Sequence, residues 1–388
     1  MKDSIFPRFS DEEYERRFTN IRSMMEQEKV SALLIVGTSA LNRIGQADLF
    51  YVSNFLGNWT NIALFPTQGE PSLFVQSFNH VPDAQRASIL EDTRFGGANT
   101  GQTVLEDLKA RGLTRGEVGI VGQMPYDWYL ILREGLPDVN FRNLTSAYRN
   151  ARAVMSDEEI ARLKRAAAFS DASIYALKDQ VKPGITEHDL AVIVENAYTK
   201  DGGQHYIHYI SSTSMHASDR CVPAQNQGDR VIQKGDVILT EISAAYWGYT
   251  GQILRPISVA EDPTPDYQDL YDVAEDAFYR VFEAIKPGVT AQEILELSKF
   301  IDETDYTIVD GLVHGFGSGI HPPSLRTAET QYHSVAPFTF QPNMGIVVQP
   351  NIVTKDLQKG VQLGHLCLLT ETGLEPLHKV PVEFIRAD

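Results

Sequence analysis

Ser10-Asp-Glu-Glu13 reads as a capping box, and apolar positions at Tyr14, Phe18, Ile21 and Met25 follow at intervals of three and four. That spacing predicts an amphipathic helix. Beyond it the pattern changes to short, nearly continuous apolar runs at Ala32–Val36, Asn61–Phe65, Ser72–Val75 and Val118–Val121, separated by helical or turn-rich stretches. Runs of that length alternating with helical segments predict an α/β domain over residues 1–150. A second capping box, Ser156-Asp-Glu-Glu159, opens a long helix through Ile160, Leu163, Ala167 and Ile174 and marks a second domain, 151–388. No Gly/Ser-rich or Pro-rich linker separates the two, so they are expected to pack together.

The second domain carries an internal echo. Lys182-Pro-Gly-Ile-Thr186 and Lys286-Pro-Gly-Val-Thr290 each lie between two amphipathic helices. In each, Pro-Gly stops one helix and Thr is placed to cap the next. Two related halves, each pairing helices with strands, are the expected architecture.

Composition narrows the function classes. A hydrophobic fraction of 43% supports a packed core, and 388 residues favour two domains over one. The formal net charge of -17 excludes a general phosphate-binding surface, so no nucleic-acid partner is expected. Two cysteines, Cys221 and Cys367, cannot build a disulfide framework, and no run approaches a membrane span. With no apolar signal core at the N-terminus, the expected location is cytoplasmic, with no membrane partner.

The chemistry-bearing motifs lie in the second domain. Gly235 to Arg255 contains Glu241 and Gln252 eleven residues apart around Tyr-Trp-Gly-Tyr249, and His314-Gly-Phe-Gly-Ser-Gly-Ile-His321 places two histidines seven apart. Gln349-Pro-Asn and Gly360-Val-Gln-Leu-Gly364 follow. In spacing this set resembles the creatinase, prolidase and aminopeptidase P superfamily. The resemblance implies a creatinase-like N-terminal domain followed by a pita-bread domain with a pseudo-twofold repeat, an α/β (α+β) fold. It also implies a central site where metal-dependent members hold two cations with Asp, Asp, His, Glu and Glu. Here those positions carry Glu241, Gln252, His314, Gln349 and Gly364. One carboxylate in place of four leaves two dications un-neutralised, so no metal and no other cofactor is expected.

Side chains able to do acid–base work remain. His314 and His321 sit in Gly-rich turns and titrate near neutrality, so each is a candidate proton carrier or a hydrogen-bonded relic. Glu241, on a strand expected to be buried, reads either as a general acid or base of raised pKa or as the partner of a cation such as Arg255. Cys221 falls near the position that the resemblance assigns to a catalytic histidine. It reads either as a nucleophile activated by a nearby cation or as a small buried hydrophobe. Gln252 and Gln349 can orient an amide or carbonyl, or simply fill the cavity. Arg326 is the candidate clamp for a substrate carboxylate. His216, Tyr249 and His208 are further candidate substrate contacts, with Tyr209 beside His208. His365 is a weaker one, since adjacent strand residues face opposite ways.

These readings converge on a homodimeric, metal-independent hydrolase that cleaves a C–N bond in a small amide, amidine or guanidino-type molecule. The creatinase resemblance also implies that a loop such as Phe55–Trp59 completes the partner's pocket. A lyase or rearrangement enzyme and a catalytically inactive binding module are the alternatives. An Xaa-Pro metallopeptidase ranks last.

Overall fold

The structure is a computed structural model that describes residues 6–39 and 44–388; residues 1–5, the start of the segment read for a signal core, lie outside them. The chain divides into two compact units, Met1–Arg152 and Ala153–Asp388.

The first unit is built on a six-stranded mixed sheet. Its strands are β1 (Ala32–Gly37), β2 (Asn61–Pro66), β3 (Ser72–Val75), β4 (Asp92–Phe95), β5 (Gly116–Val121) and β6 (Val139–Asn143), in the order β4-β3-β2-β1-β5-β6. Both faces of β1 are covered, which explains its unbroken apolar run. Leu33 and Ile35 join one apolar cluster with α1 (Asp11–Glu28) and α2 (Ala47–Ser53), whereas Ala32, Leu34 and Val36 join another with α3 (Thr100–Ala110) and α4 (Tyr126–Gly135). At the start of α1, Ser10 Oγ accepts from Glu13 N–H at 3.1 Å. The Glu13 carboxylate holds Arg16 at 2.7 Å and the fully buried Arg17 at 2.6 Å.

The second unit opens with α5 (Asp157–Gln180), whose Ser156/Glu159 capping box forms as the sequence predicts. It continues through α6 (Glu187–Asn196), β7 (Gln204–Ser214), β8 (Asp236–Tyr246), β9 (Tyr249–Leu254), β10 (Ile257–Val259), α7 (Pro265–Ala284) and α8 (Ala291–Leu297). The later strands are β11 (Val313–Gly317), β12 (Gly319–Leu325), β13 (Gly345–Val348), β14 (Gly364–Leu369), β15 (Leu374–Pro376) and β16 (Ile385–Ala387). They form a ten-stranded sheet in the order β12-β11-β13-β14-β9-β8-β10-β16, with β7 paired to β8 and β15 to β14. The sheet lies against α5, and Gly251 permits the contact, since a Cβ there would come within 2.3 Å of the Ala167 backbone.

The internal echo has matching local structure. Gly184 and Gly288 both have positive φ, at 98° and 90°. Thr186 and Thr290 both form full capping boxes, with Asp189 and Glu293, and each makes an isolated bridge to a later segment. One turn chemistry is thus repeated in two places, as two related halves require.

Candidate functional site

All eleven residues of β8 except the last are buried, and all six of β9, so polar side chains on them must find partners inside the protein. Glu241 lies at the middle of β8, and Gln252 lies across the ladder opposite Ser243, diagonal to Glu241. The Gln252 amide donates from Nε2 to Glu241 Oε1 at 2.8 Å and to Gln349 Oε1 at 3.1 Å. Gln349 follows β13 and donates to the Gly311 carbonyl at 3.2 Å. Its amide also lies within hydrogen-bonding reach of the His314 imidazole. Four of the five motif positions are thus joined in one network: Glu241, Gln252, Gln349 and His314. At the fifth, a Cβ on Gly364 would meet Gln349 Cβ at 2.8 Å and the Val348 carbonyl at 2.9 Å. The stem of Gln349 occupies the space a longer side chain there would need.

The electrostatics follow from burial. Glu241 is only 9% exposed, and Arg255 is turned away, donating to the carbonyls of Leu254, Gly364, Val380 and Pro381. The expected alternative of a Glu241–Arg255 ion pair is therefore excluded by geometry. Burial first, and the charge of Asp310 second, push the Glu241 carboxyl up to about 8, so it is protonated at neutral pH and offers a donor. Burial of the His314 imidazole lowers its pKa; the Gly315 carbonyl, Asp310 and Gln349 oppose the shift in that order. The network thus holds a neutral imidazole and a protonated carboxyl, linked through Gln349 and Gln252. The Oε1 atom of Gln252 is buried and has no hydrogen-bond partner among the described residues, which leaves one acceptor open.

Asp310 and Tyr209 complete the surroundings. Asp310 accepts from Asn351 Nδ2 at 3.4 Å and acts electrostatically on Glu241, His314 and Tyr209. Tyr209 is the direct cross-strand partner of Glu241, so the two side chains share a face. Behind Gln252, His378 bridges Asp171 Oδ1 and the Gln252 carbonyl, both at 2.8 Å, and fixes the backbone that presents the amide. Asp310 and His378 were missed in the sequence; an Asp-Gly turn three residues before an apolar-flanked histidine was the only signal for the first.

His321 lies on β12 and is buried, its Nε2 within 3.4 Å of where a methyl on Gly317 would stand. Arg326 donates from Nη2 to the Val309 carbonyl at 2.8 Å, next to Asp310, and stacks over Tyr332. It makes no ion pair among the described residues.

Five expected roles are corrected. His208 is turned from Glu241, because it neighbours Tyr209 on the strand, and its Nε2 meets Tyr198 Oη at 2.7 Å. His216 is exposed and pairs with Glu261 at 2.9 Å. Tyr249 is fully buried and donates to Glu159 at 2.6 Å, which commits it to holding α5. For Cys221, burial raises the thiol pKa and the Asp356 charge adds to the rise, the reverse of cation activation. His365 packs against Arg255 and Phe278, away from the network.

Residues 161–371 match metallopeptidase family M24, and residues 17–154 match the creatinase/prolidase N-terminal domain. An Xaa-Pro dipeptidase of Pyrococcus furiosus is 26% identical over 272 residues, covering 69% of this chain and 75% of that protein. The uncharacterized peptidase YqhT of Bacillus subtilis is 24% identical over 374 residues, covering 95% and 99%. Among solved structures, the prolidase from Pyrococcus horikoshii OT3 superposes with a TM-score of 0.77 at 22% identity over 95% of this chain and 100% of that one. Dipeptidase PepE from Mycobacterium ulcerans gives 0.79 at 22% identity over 98% and 100%. The expected metal-independent hydrolase of non-peptide C–N bonds is overturned by these relatives, which carry the names of peptidases, among them an Xaa-Pro dipeptidase and a prolidase. With more than half its length matched, and the two-unit fold and repeated halves in agreement, this chain belongs to metallopeptidase family M24.

Proposed function

We propose that this chain takes a small peptide-like molecule of the Xaa-Pro kind, with a free amine, an amide carbonyl and a carboxylate, into the centre of its second unit and hydrolyses the amide. The network of Glu241, Gln252 and Gln349 beside Asp310 and His314 carries the reading. The protonated Glu241 is the donor for the amide carbonyl. The open Gln252 Oε1 and the Asp310 carboxylate are acceptors for the amine, and the unpaired Arg326 guanidinium suits the carboxylate. His314, neutral at physiological pH, is the group able to accept a proton. A homodimer belongs to the same proposal, and Trp59, 58% exposed on its loop, is the candidate contact.

The residues present do not fit the two cations that the family implies. Glu241 favours its protonated form, the Gln252 donor face is turned inward, and Gly364 has no room for a carboxylate. No step is routed through a metal. The same observations favour a second reading, a centre that binds such a molecule without cleaving it.

The test pairs calorimetry with proline release, using Ala-Pro and Gly-Pro on chelator-treated chain. The proposal expects binding that weakens at least ~10-fold when the dipeptide carboxylate is amidated, with proline released. Binding without release under any metal supply establishes the second reading. Release that requires added divalent metal refutes the loss of the ligand set, and absence of binding refutes both readings.

A further inference from the structure

On the opposite face of β7 from Tyr209, three side chains converge. His205 Nδ1 lies 2.9 Å from Glu195 Oε1, and the rings of His205 and His208 are 4.5 Å apart between centroids. One donor atom from each of Glu195, His205 and His208 lies within 4.8 Å of the others. Among the described residues this is the one group of three or more His, Cys, Asp and Glu side chains so disposed.

The backbone explains the convergence. In a regular strand, residues three apart face opposite ways. Here the β7–β8 register shifts between His205 and Ile207, pairing His205 with Ala244 and Ile207 with Ser243, so Tyr206 is an extra residue. The bulge brings His205 and His208 to one face, as bulges do when they re-aim a side chain. Glu195 arrives from the last turn of α6, which joins β7 through a connection of only seven residues.

We propose that Glu195, His205 and His208 form a binding site for a borderline divalent transition metal, of which Zn²⁺ is the type. Two imidazoles and one carboxylate suit such ions and not Mg²⁺ or Ca²⁺, which prefer oxygen donors. The independent observation is His208: it is only 5% exposed, its Nε2 is held by Tyr198 Oη at 2.7 Å, and its buried Nδ1 has no well-formed hydrogen-bond partner among the described residues. A metal-binding histidine is oriented in this way, one nitrogen fixed by an outer partner and the other left for the ion. Gln227 Nε2 donates to the His208 carbonyl at 3.3 Å and braces the strand. Glu195 and His205 are both about half exposed, which gives the ion an entry path and a position for water. Ligand atoms around tetrahedral Zn²⁺ stand roughly 3.3 Å apart at ordinary bond lengths, so binding draws the three donors closer from separations now within 4.8 Å.

The experiment is Zn²⁺ calorimetry and Co²⁺ visible spectroscopy on the full chain, stripped of metal, with His205→Asn, Glu195→Gln, Tyr198→Phe and Glu241→Gln compared. The first two alter half-exposed side chains and leave the fold intact. The proposal expects one equivalent bound, d–d bands of low-symmetry four-coordinate Co²⁺, and affinity lower by at least ~10-fold in His205→Asn and Glu195→Gln. Tyr198→Phe weakens binding by roughly 10–100-fold as an outer partner does, and Glu241→Gln changes nothing. Absence of uptake, uptake indifferent to His205→Asn and Glu195→Gln, or uptake abolished by Glu241→Gln overturns the site.

Discussion

The Glu241 carboxyl is expected to make the second unit lose stability as pH rises through neutrality. Its folded-state pKa is raised from an ordinary 4.5 to about 8, by burial first and Asp310 second. The folded chain therefore keeps a proton that the unfolded chain has released. The stabilisation is complete below the unfolded value of 4.5 and is lost as pH climbs through about 8. Between those limits the slope is about 1.4 kcal/mol per pH unit. Integrated, the loss is roughly 3 kcal/mol at neutrality and approaches roughly 5 kcal/mol once the folded carboxyl has ionised. Against a typical domain stability of ~5–15 kcal/mol this is large.

Glu241→Gln abolishes the titration while keeping the side chain's length and an acceptor for Gln252. Hydrogen exchange of the β8 and β9 amides, corrected for intrinsic rates, reads opening of this region in a protein whose two units need not unfold together. The variant should gain on the parent by about 1.4 kcal/mol for each pH unit between about pH 5.5 and 7.5. A constant difference across that range refutes the reasoning, because it means Glu241 is ionised throughout. A pH dependence that vanishes on adding Zn²⁺ or Mn²⁺ to a chain carrying His205→Asn would show a cation ionising the carboxyl. That result would restore a metal to the centre.

Other expectations follow from neighbouring positions. Gly364→Asp drives a Cβ into Gln349 and the Val348 carbonyl and should cost about 1–3 kcal/mol in denaturation without creating metal affinity at the centre. Cys221, with its thiol pKa raised by burial, should resist iodoacetamide in the folded chain at neutral pH, and Cys221→Ser should leave proline release unchanged. Rapid labelling with loss of turnover would return it to the mechanism. His378→Ala removes the bridge between Asp171 and the Gln252 carbonyl and should destabilise by about 2–4 kcal/mol in urea unfolding. Arg326→Gln should raise KM for a dipeptide with a free carboxylate at least ~10-fold and leave the amidated analogue unaffected; equal losses for both would remove Arg326 from the site.

What the sequence made legible was whatever is encoded by period or by turn chemistry. The Ser156 capping box, the duplicated Lys-Pro-Gly-X-Thr segments and the fully apolar strands each have local causes, and each formed where its residues stand. The convergence of Glu241, Gln252, His314 and Gln349 was legible only through the spacing of motifs, since four separate segments supply them. Their protonation was less accessible. That Glu241 has no ion-pair partner among the described residues depends on Arg255 turning to four backbone carbonyls, and nothing in the local sequence fixes that choice.

The segment His205 to Tyr209 shows where pattern reading gives way. Under strict alternation, His205, Ile207 and Tyr209 would share one face and His208 would stand alone on the other with Tyr206. A single extra residue breaks that parity, and a one-residue slip moves every later side chain to the other face. Tyr209 is thereby delivered to Glu241, while His208 joins His205 and Glu195. No residue in the run announces the bulge, because Tyr206 is a good strand former and no glycine marks the kink. One backbone irregularity therefore separates the two chemistries of this unit: a protonated carboxyl among amides on one side of β7, and a metal-shaped trio on the other. Removing the extra residue should bring down both at once, and that coupling distinguishes a bulge that organises the unit from a local accident of packing.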